Sequence, residues 1–211
     1  MLRNPNGLSY AVVALLGANI AFDVLLAVFE IRVLLADETA GQADPAVFGS
    51  LNLNVAYSMA FTLYVATGVV FIVWFHRLRK NAGVWAPDLQ GRGPGWAVGG
   101  WFIPIGNLWI PRETAADIWR ASRMTPYAAD RKGELALLNS WWAVWVAVMI
   151  VGRVGALMYR GAETADTFVA AARVSLLGYV LDIVAAVLAI LFVRRLTSMQ
   201  HHKATGMIPA A

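Results

Sequence analysis

The sequence predicts an all-α membrane protein with four transmembrane helices in a bundle, forming a single membrane domain over residues 1–211. Four apolar stretches, at about residues 8–36, 51–75, 135–159 and 168–193, each exceed the roughly 20 residues needed to cross a bilayer. The composition agrees, because 59% of the residues are hydrophobic and only 14% are charged, whereas soluble domains are about 45–50% apolar and about 25% charged. The basic residues are concentrated in alternate connections between the stretches.

The first apolar stretch, at about residues 8–36, is predicted to be a membrane-spanning helix. Backbone polar groups inside a bilayer have no water to bind, and a helix satisfies them internally. A cleaved secretory signal peptide is the alternative, with Arg3 as its basic region and small residues at 40–43 near a cleavage site. We favour a retained helix because the apolar run far exceeds the roughly 7–15 residues of a signal peptide and is interrupted by Asp23.

The charges of the connections orient the four spans. The connection after the first span contains Asp37, Glu38 and Asp44 and no basic residue, and the one after the third span has one arginine beside two acids. The segment of about residues 77–134 and the tail after residue 193 are rich in lysine and arginine. Because basic loops stay in the cytoplasm, we expect both termini and the middle segment there, with the chain in the plasma membrane.

The middle segment, about residues 77–134, is predicted to lie at the cytoplasmic membrane interface or to re-enter the membrane. Its stretch 96–110 is apolar, but Gly and Pro interrupt it, and short apolar runs of this kind are typical of such segments. A fifth span is the alternative, which would place five basic residues outside and conflict with the charge rule. Pro111 suits the first turn of a following helix. That helix either lies on the membrane surface or packs as a connector on the bundle.

The chain after its first span carries aromatic, proline and polar residues in a recognisable pattern. The Trp141-Trp142 pair, Thr197 and Gln200 belong to the pattern, as does Arg195. Its central residues, which we call the interfacial motif, are Trp74, Arg77, Asn81, Trp96, Trp101, Pro104, Asn107, Pro111 and Trp119. With these residues the chain resembles the actinobacterial multi-span membrane family catalogued as domain of unknown function 4328. The resemblance implies a four-helix membrane protein and no particular activity.

Polar residues inside the predicted spans form a second set of candidate site residues. A charge at the centre of a bilayer costs at least about 2.5–3.5 kcal/mol, so these side chains are expected to face one another. Arg153 is the base placed to pair with one or more of the acids. We call this set the intramembrane polar cluster: Asn19, Asp23, Glu30, Asn54, Arg153 and Asp182.

Two interpretations of the polar cluster remain open. Three acids against one base leave uncompensated negative charge in a low dielectric, so Asp23 or Asp182 is expected to hold a proton or a cation. Such a group could relay protons or couple to a solute. The other interpretation is a structural knot, in which one ion pair and several hydrogen bonds determine how the four helices dock.

The sequence gives only weak signals of catalysis and of metal or cofactor binding. Cysteine is absent, and the three histidines lack further ligands for a metal or for haem. No serine has a visible histidine partner for nucleophilic catalysis. An enzyme at the inner membrane surface would have only His76, Glu113 and Asp117 available. We therefore expect no cofactor and favour a non-catalytic protein.

Three functions are ranked on these observations. The first is a non-catalytic membrane module that binds a partner protein or lipid through the segment that carries the interfacial motif. The second is a small transporter, channel or proton-linked subunit that uses Asp23, Arg153 and Asp182, for which four helices would call for a homo-oligomer. The third is a membrane enzyme. Nucleic acid is not expected as a partner, because lipid headgroups next to the basic segments account for the net charge of +4.

Overall fold

The structure is a computed structural model that describes residues 2–39 and 53–206. Four of its helices are long and apolar enough to cross a membrane, which confirms the predicted number of such helices. These are α1 (Asn6–Thr39), α2 (Leu53–Trp85), α5 (Ala136–Arg160) and α6 (Ala165–Gly206). Two short helices, α3 (Trp96–Gly99) and α4 (Ile110–Ala121), lie between α2 and α5 in the sequence. The described residues form no strand, so the all-α class is confirmed as well.

Two of the long helices continue well beyond the predicted spans. The second span is predicted to end near residue 75 and the fourth near residue 193, whereas α2 ends at Trp85 and α6 at Gly206. Hydropathy detects only the part of a helix that suits lipid. Lysine and arginine end an apolar run without ending a helix, because both residues are good helix formers. The additional turns carry Asn81 and Gln200.

The chain divides into two compact units, and each unit takes parts of several long helices. Unit 1 comprises Met1–Leu15, Ala66–Trp142 and Leu188–Ala211, and it contains the interfacial motif. Unit 2 comprises Leu16–Val65 and Ala143–Val187, and it contains the positions of the polar cluster. The single membrane domain expected over residues 1–211 stays a prediction.

The core of unit 1 consists largely of aromatic side chains. Trp74 and Phe192 are fully buried, and their rings meet edge to face with centroids 6.1 Å apart. The ring of Trp141 stacks on Phe192 at 5.0 Å. Trp101 meets Phe71 of α2 edge to face at 5.7 Å. Aromatic pairs of this kind add about 0.5–1.5 kcal/mol to the effect of burial, so the core holds the segment after α3 firmly against α2.

Helix α4 is a connector packed on the protein, which decides between the two predicted alternatives. Its Ala115, Ile118 and Trp119 are at most 5% exposed, and the Trp119 ring stacks on Phe192 with centroids 6.2 Å apart. The apolar face of α4 therefore contacts protein and not lipid. Pro111 lies in the first turn, as predicted.

The stretch 96–110 is not a fifth spanning helix. It folds as the four-residue helix α3, a series of turns and a 3₁₀ turn at Gly106–Leu108, before α4 begins at Ile110. The glycines and the proline that interrupt the apolar run explain why no long helix forms. Placement of this stretch at or in the membrane stays a prediction.

Unit 2 brings α5 and α6 together at small residues. A Cβ atom added at Gly155 would lie 3.6 Å from Oγ of Ser175, and one at Gly178 would lie 3.9 Å from a methyl group of Val151. Small residues let membrane helices approach closely, which increases van der Waals contact where no hydrophobic effect operates between helices.

Candidate functional site

The residues of the interfacial motif are mostly structural. Four of the nine, Trp74, Asn81, Pro111 and Trp119, are buried. Three more are half-buried, and only Trp96 and Pro104 are exposed. The motif therefore builds the interior of unit 1, and the exposed residues of the same segment are the ones available for binding.

Trp74 joins α2 to α6. Its side chain has no exposed surface, and its indole Nε1 donates a hydrogen bond of 3.0 Å to Oγ1 of Thr197. Buried tryptophan N–H groups need such a partner. The pairing explains why a tryptophan on α2 and a threonine on α6 occur in one pattern.

Asn81 binds the main chain of the N-terminal segment. The N–H of Arg3 donates to Oδ1 of Asn81 at 2.8 Å, and Nδ2 of Asn81 donates to the carbonyl oxygen of Arg3 at 2.8 Å. The guanidinium of Arg77 adds a hydrogen bond of 2.8 Å to the carbonyl oxygen of Asn4. These side chains bind only backbone atoms of the N-terminal segment, so the hydrogen bonds do not depend on its side chains.

Gln200 completes this network at the point where three helices meet. It is 1% exposed, and its Oε1 accepts a hydrogen bond of 2.9 Å from Nδ2 of Asn81. Its Nε2 donates to the carbonyl oxygen of Leu78 and to Oγ of Ser122, both at 3.1 Å. One amide thus links α2, the C-terminal end of α4 and α6.

Lys203 is a structural residue that the sequence analysis did not single out. Its Nζ donates to the carbonyl oxygens of Ala121 and Arg123, at 2.8 and 2.6 Å. It also lies 5.3 Å from the ring centroid of Trp85. A cation at the C-terminal end of a helix satisfies carbonyls that have no partner within the helix. In sequence, a lysine in a terminal tail is indistinguishable from a solvated charge.

The residues that an interfacial enzyme would need have structural partners. Glu113 pairs with Arg92 at 2.6 Å. Asp117 accepts a hydrogen bond of 3.1 Å from a backbone N–H of loop 91–94, and Nδ1 of His76 lies 3.2 Å from a carbonyl oxygen of the same loop. Burial raises the pKa of Asp117, while the loop N–H and nearby arginines lower it. These three side chains fasten a loop and do not converge on one site.

A second ionic group follows α4. Arg120 and Arg123 both donate to the carboxylate of Asp130, with Nη2 of Arg120 at 2.8 Å. These hydrogen bonds hold the pKa of Asp130 at about 2, below its ordinary value. Asp130 therefore stays ionised at neutral pH, and the pairs order the polar stretch between α4 and α5.

An exposed apolar part of the segment is the short loop of residues 102–109, which we call the apolar loop. Phe102 is 71% exposed, Ile105 is 70% exposed and Trp109 is 45% exposed. Ile105 has a φ of +63°, which is a true outlier for a β-branched residue. Such strain persists only where the surrounding structure imposes it.

Packing beneath the apolar loop imposes this conformation. Gly106 is buried, and a Cβ atom there would come within 3.0 Å of the side chains of Ile103 and Ile110. Nε1 of Trp142 donates a hydrogen bond of 2.8 Å to the carbonyl oxygen of Leu108. The loop is thus a rigid projection held from below, with its apolar side chains pointing outward.

In unit 2, the structure groups the acids of the polar cluster with tyrosines. Glu30 is 4% exposed, and the Tyr159 hydroxyl donates a hydrogen bond to its carboxylate. Tyr159 also lies near Ser175 of α6. The carboxyl groups of Asp23 and Asp182 lie close enough to interact electrostatically.

The expected ion pair of Arg153 is not formed. Among the described residues, Arg153 forms no ion pair with Asp23, Glu30 or Asp182, and its side chain is exposed. The prediction failed because helix spacing places Arg153 only roughly around α5, and its face points away from the acids. Asn19 is half-buried, while the side chain of Asn54 lies outside the described part of the chain.

The tyrosines are the site residues that sequence reasoning missed. Tyr57 lies near Tyr179, and Tyr64 lies near Asp182 and Trp145. Tyrosine in an apolar span is compatible with the lipid interface as well as with the interior. The spacing of these tyrosines relative to the acids on the same or neighbouring helices was the sequence signal that could have identified them.

Comparison with known proteins supports the family resemblance. A family model described as "Domain of unknown function (DUF4328)" matches residues 37–198. No curated protein and no solved structure matches the chain significantly. The matched range contains the whole interfacial motif, the whole of α2 and α5 and most of α6, while nearly all of α1 lies before it. The chain is a membrane protein that belongs to the DUF4328 family.

Proposed function

We propose that this protein is a non-catalytic membrane module that binds a partner protein or lipid through its apolar loop, residues 102–109. One observation carries the proposal: Phe102, Ile105 and Trp109 are exposed on a projection that is rigidly supported from below. Contiguous exposed apolar side chains are typical of binding surfaces. A rigid loop also loses little conformational entropy when it binds.

The partners of the acidic side chains near the loop support a non-catalytic role. Glu113 and Asp117 are occupied by Arg92 and by the backbone of loop 91–94. General acids and bases need access to a substrate proton. The half-buried Trp101 packs on Phe71 and so supports the loop from within.

Photocrosslinking from Phe102 tests the proposal. A benzophenone amino acid at position 102 is expected to form a covalent adduct, with protein or with lipid, in membranes that contain the full-length chain. The matched control carries the same group at Tyr127, which is 64% exposed in the polar stretch after α4. We expect little or no adduct there. Equal yields at the two positions, or none at position 102, would contradict the loop as the binding surface.

We further propose that the chain is a multi-pass protein of the plasma membrane, with both termini and the apolar loop on the cytoplasmic side. The distribution of basic residues supports this orientation. The chain has no cysteine, so Tyr127→Cys introduces a single thiol. A membrane-impermeant maleimide is expected to label that thiol in inverted vesicles and not in intact cells. Labelling in intact cells would place residue 127 outside the cell and contradict the proposed orientation.

A proton-linked function is the second candidate, and the acids of unit 2 favour it. Asp23 and Asp182 lie near each other on α1 and α6. Among the described residues, neither forms an ion pair with a basic side chain. Carboxyl groups inside a membrane are costly unless they are neutralised, and they are frequently part of proton or ion pathways. Arg153 was the expected counter-charge of these acids. Because it forms no ion pair with them, the proton-linked function becomes the stronger explanation for their presence.

A further inference from the structure

We infer that the ligand of the apolar loop is the phospholipid of the inner leaflet, into which residues 102–109 insert beside the long helices. This inference rests on the proposed function and deepens it, because it names the ligand of the same loop. Position along two helices, side-chain chemistry and backbone conformation all support lipid over a protein partner.

The position of the loop along α2 places its beginning at the edge of the hydrocarbon core. Trp101 meets Phe71 edge to face at 5.7 Å. Phe71 lies 18 residues after the start of α2 at Leu53, which corresponds to about 27 Å along the helix axis. The hydrocarbon core of a bilayer is about 30 Å thick. With the start of α2 taken as the outer edge of the hydrocarbon core, the first loop residue, Phe102, is close to the level where the acyl chains end on the inner side.

The position of the loop along α5 gives the same level independently. Trp142 donates its indole hydrogen bond to the carbonyl oxygen of Leu108 at 2.8 Å. Trp142 lies 18 residues before the end of α5 at Arg160, which is again about 27 Å. Both ends of the loop are thus fastened at one depth, and side chains that point outward at this depth meet lipid and not water.

The side chains of the loop suit this level. Residues 102–109 include no charged residue, and Asn107 is the one polar side chain among them. Trp96 and Trp109, before and within the loop, are 41% and 45% exposed. Partly exposed tryptophan is typical of the headgroup boundary, where its ring is apolar and its N–H remains hydrated. Half-buried Arg112, three residues after Trp109, lies where phosphate groups would be found.

The backbone at Ile105 is consistent with insertion. Ile105 combines a positive φ with a side chain that is 70% exposed, and burial of that side chain among acyl chains would offset the strain. In water, the same conformation would combine backbone strain with an exposed isoleucine. A cytoplasmic protein would also have to displace headgroups to reach this level.

Spin labelling of the full-length chain tests the inference. Ile105→Cys and, as an independent second position, Phe102→Cys each carry one nitroxide in vesicles of phosphatidylcholine and phosphatidylglycerol. Dissolved oxygen, which concentrates in lipid, is expected to relax both labels strongly, while a water-soluble nickel chelate is expected to have little effect. The control Tyr127→Cys should show the opposite order, because its side chain is in the polar stretch after α4.

The outcomes separate this inference from the proposed function. Nickel accessibility at positions 102 and 105 as high as at position 127 would overturn lipid insertion. If Phe102 then forms an adduct with a protein, the proposed function stands with a protein partner and the lipid inference fails. If no adduct forms either, both fail. Lipid-exposed labels together with a lipid adduct from Phe102 support both.

Discussion

Replacing Trp74 with alanine is expected to lower the free energy of unfolding by about 3–5 kcal/mol, the range found when large buried aromatic side chains are removed. Trp74 is fully buried, and its ring contacts Phe71 and Phe192 at centroid distances of 5.2 and 6.1 Å. Alanine would leave a cavity in the aromatic core and remove the partner of Thr197. Unfolding by sodium dodecyl sulfate in mixed micelles, followed by near-ultraviolet circular dichroism, measures the change.

Two control variants separate packing from hydrogen bonding. Trp74→Phe keeps an aromatic ring and loses the bond from Nε1 to Thr197, whose net contribution is about 0.5–1.5 kcal/mol, so most of the stability should remain. Trp96→Ala removes a tryptophan that is 41% exposed, and it should cost much less than Trp74→Ala. Equal losses at Trp74 and Trp96 would contradict the structural role assigned to the motif.

Under the proton-linked candidate function, Asp182→Asn is expected to slow proton entry into sealed vesicles by about tenfold or more, which corresponds to at least about 1.4 kcal/mol in the barrier. Asparagine keeps the size of the side chain but cannot bind and release a proton at neutral pH. Asp23, the neighbouring acid, should show the same effect when it is changed to Asn. A pH-sensitive dye trapped inside the vesicles reports the rate after an acid pulse.

Arg153→Gln is the matched control for this experiment. Because Arg153 is exposed and forms no ion pair among the described residues, its replacement should leave the flux unchanged. Breaking a buried ion pair costs about 3–5 kcal/mol, so a large loss of stability in either Asp182→Asn or Arg153→Gln would point to a pair after all. Wild-type vesicles that acidify no faster than protein-free vesicles would exclude the candidate function.

The interfacial motif shows how far sequence reasoning reached. The pattern placed Asn81 and Gln200 together in one family resemblance, but it could not say that their side chains are bonded at 2.9 Å. Residues 119 positions apart in the chain meet only because α2 and α6 both continue beyond their apolar parts. Most side chains of the motif are buried or half-buried. The binding surface that we propose is therefore limited to the apolar loop, where the side chains are exposed.

The polar cluster shows that helix rotation could not be predicted from the sequence. Depth along a helix follows from the rise per residue, and the sequence predicted a similar depth for Asp23 and Asp182, whose carboxyl groups lie close enough to interact electrostatically. The direction in which a side chain points depends on how each helix is rotated in its unit, and a single charge such as Arg153 does not reveal that rotation. Tyr159, and not Arg153, became the partner of Glu30 because its hydroxyl is on the face of α5 that meets the acid.

By itself the sequence determined the all-α class, the four helices long enough to cross a membrane and the family, because these depend on local properties: apolar length, charge between spans and residue identity. Tertiary structure alone decided that α4 packs on protein and that most of the motif is buried or half-buried. It also decided that Arg153 forms no ion pair within the described part of the chain and that the apolar loop is exposed. These features depend on helix rotation and on contacts between distant segments, which apolar periodicity leaves open when nearly every face of a helix is hydrophobic.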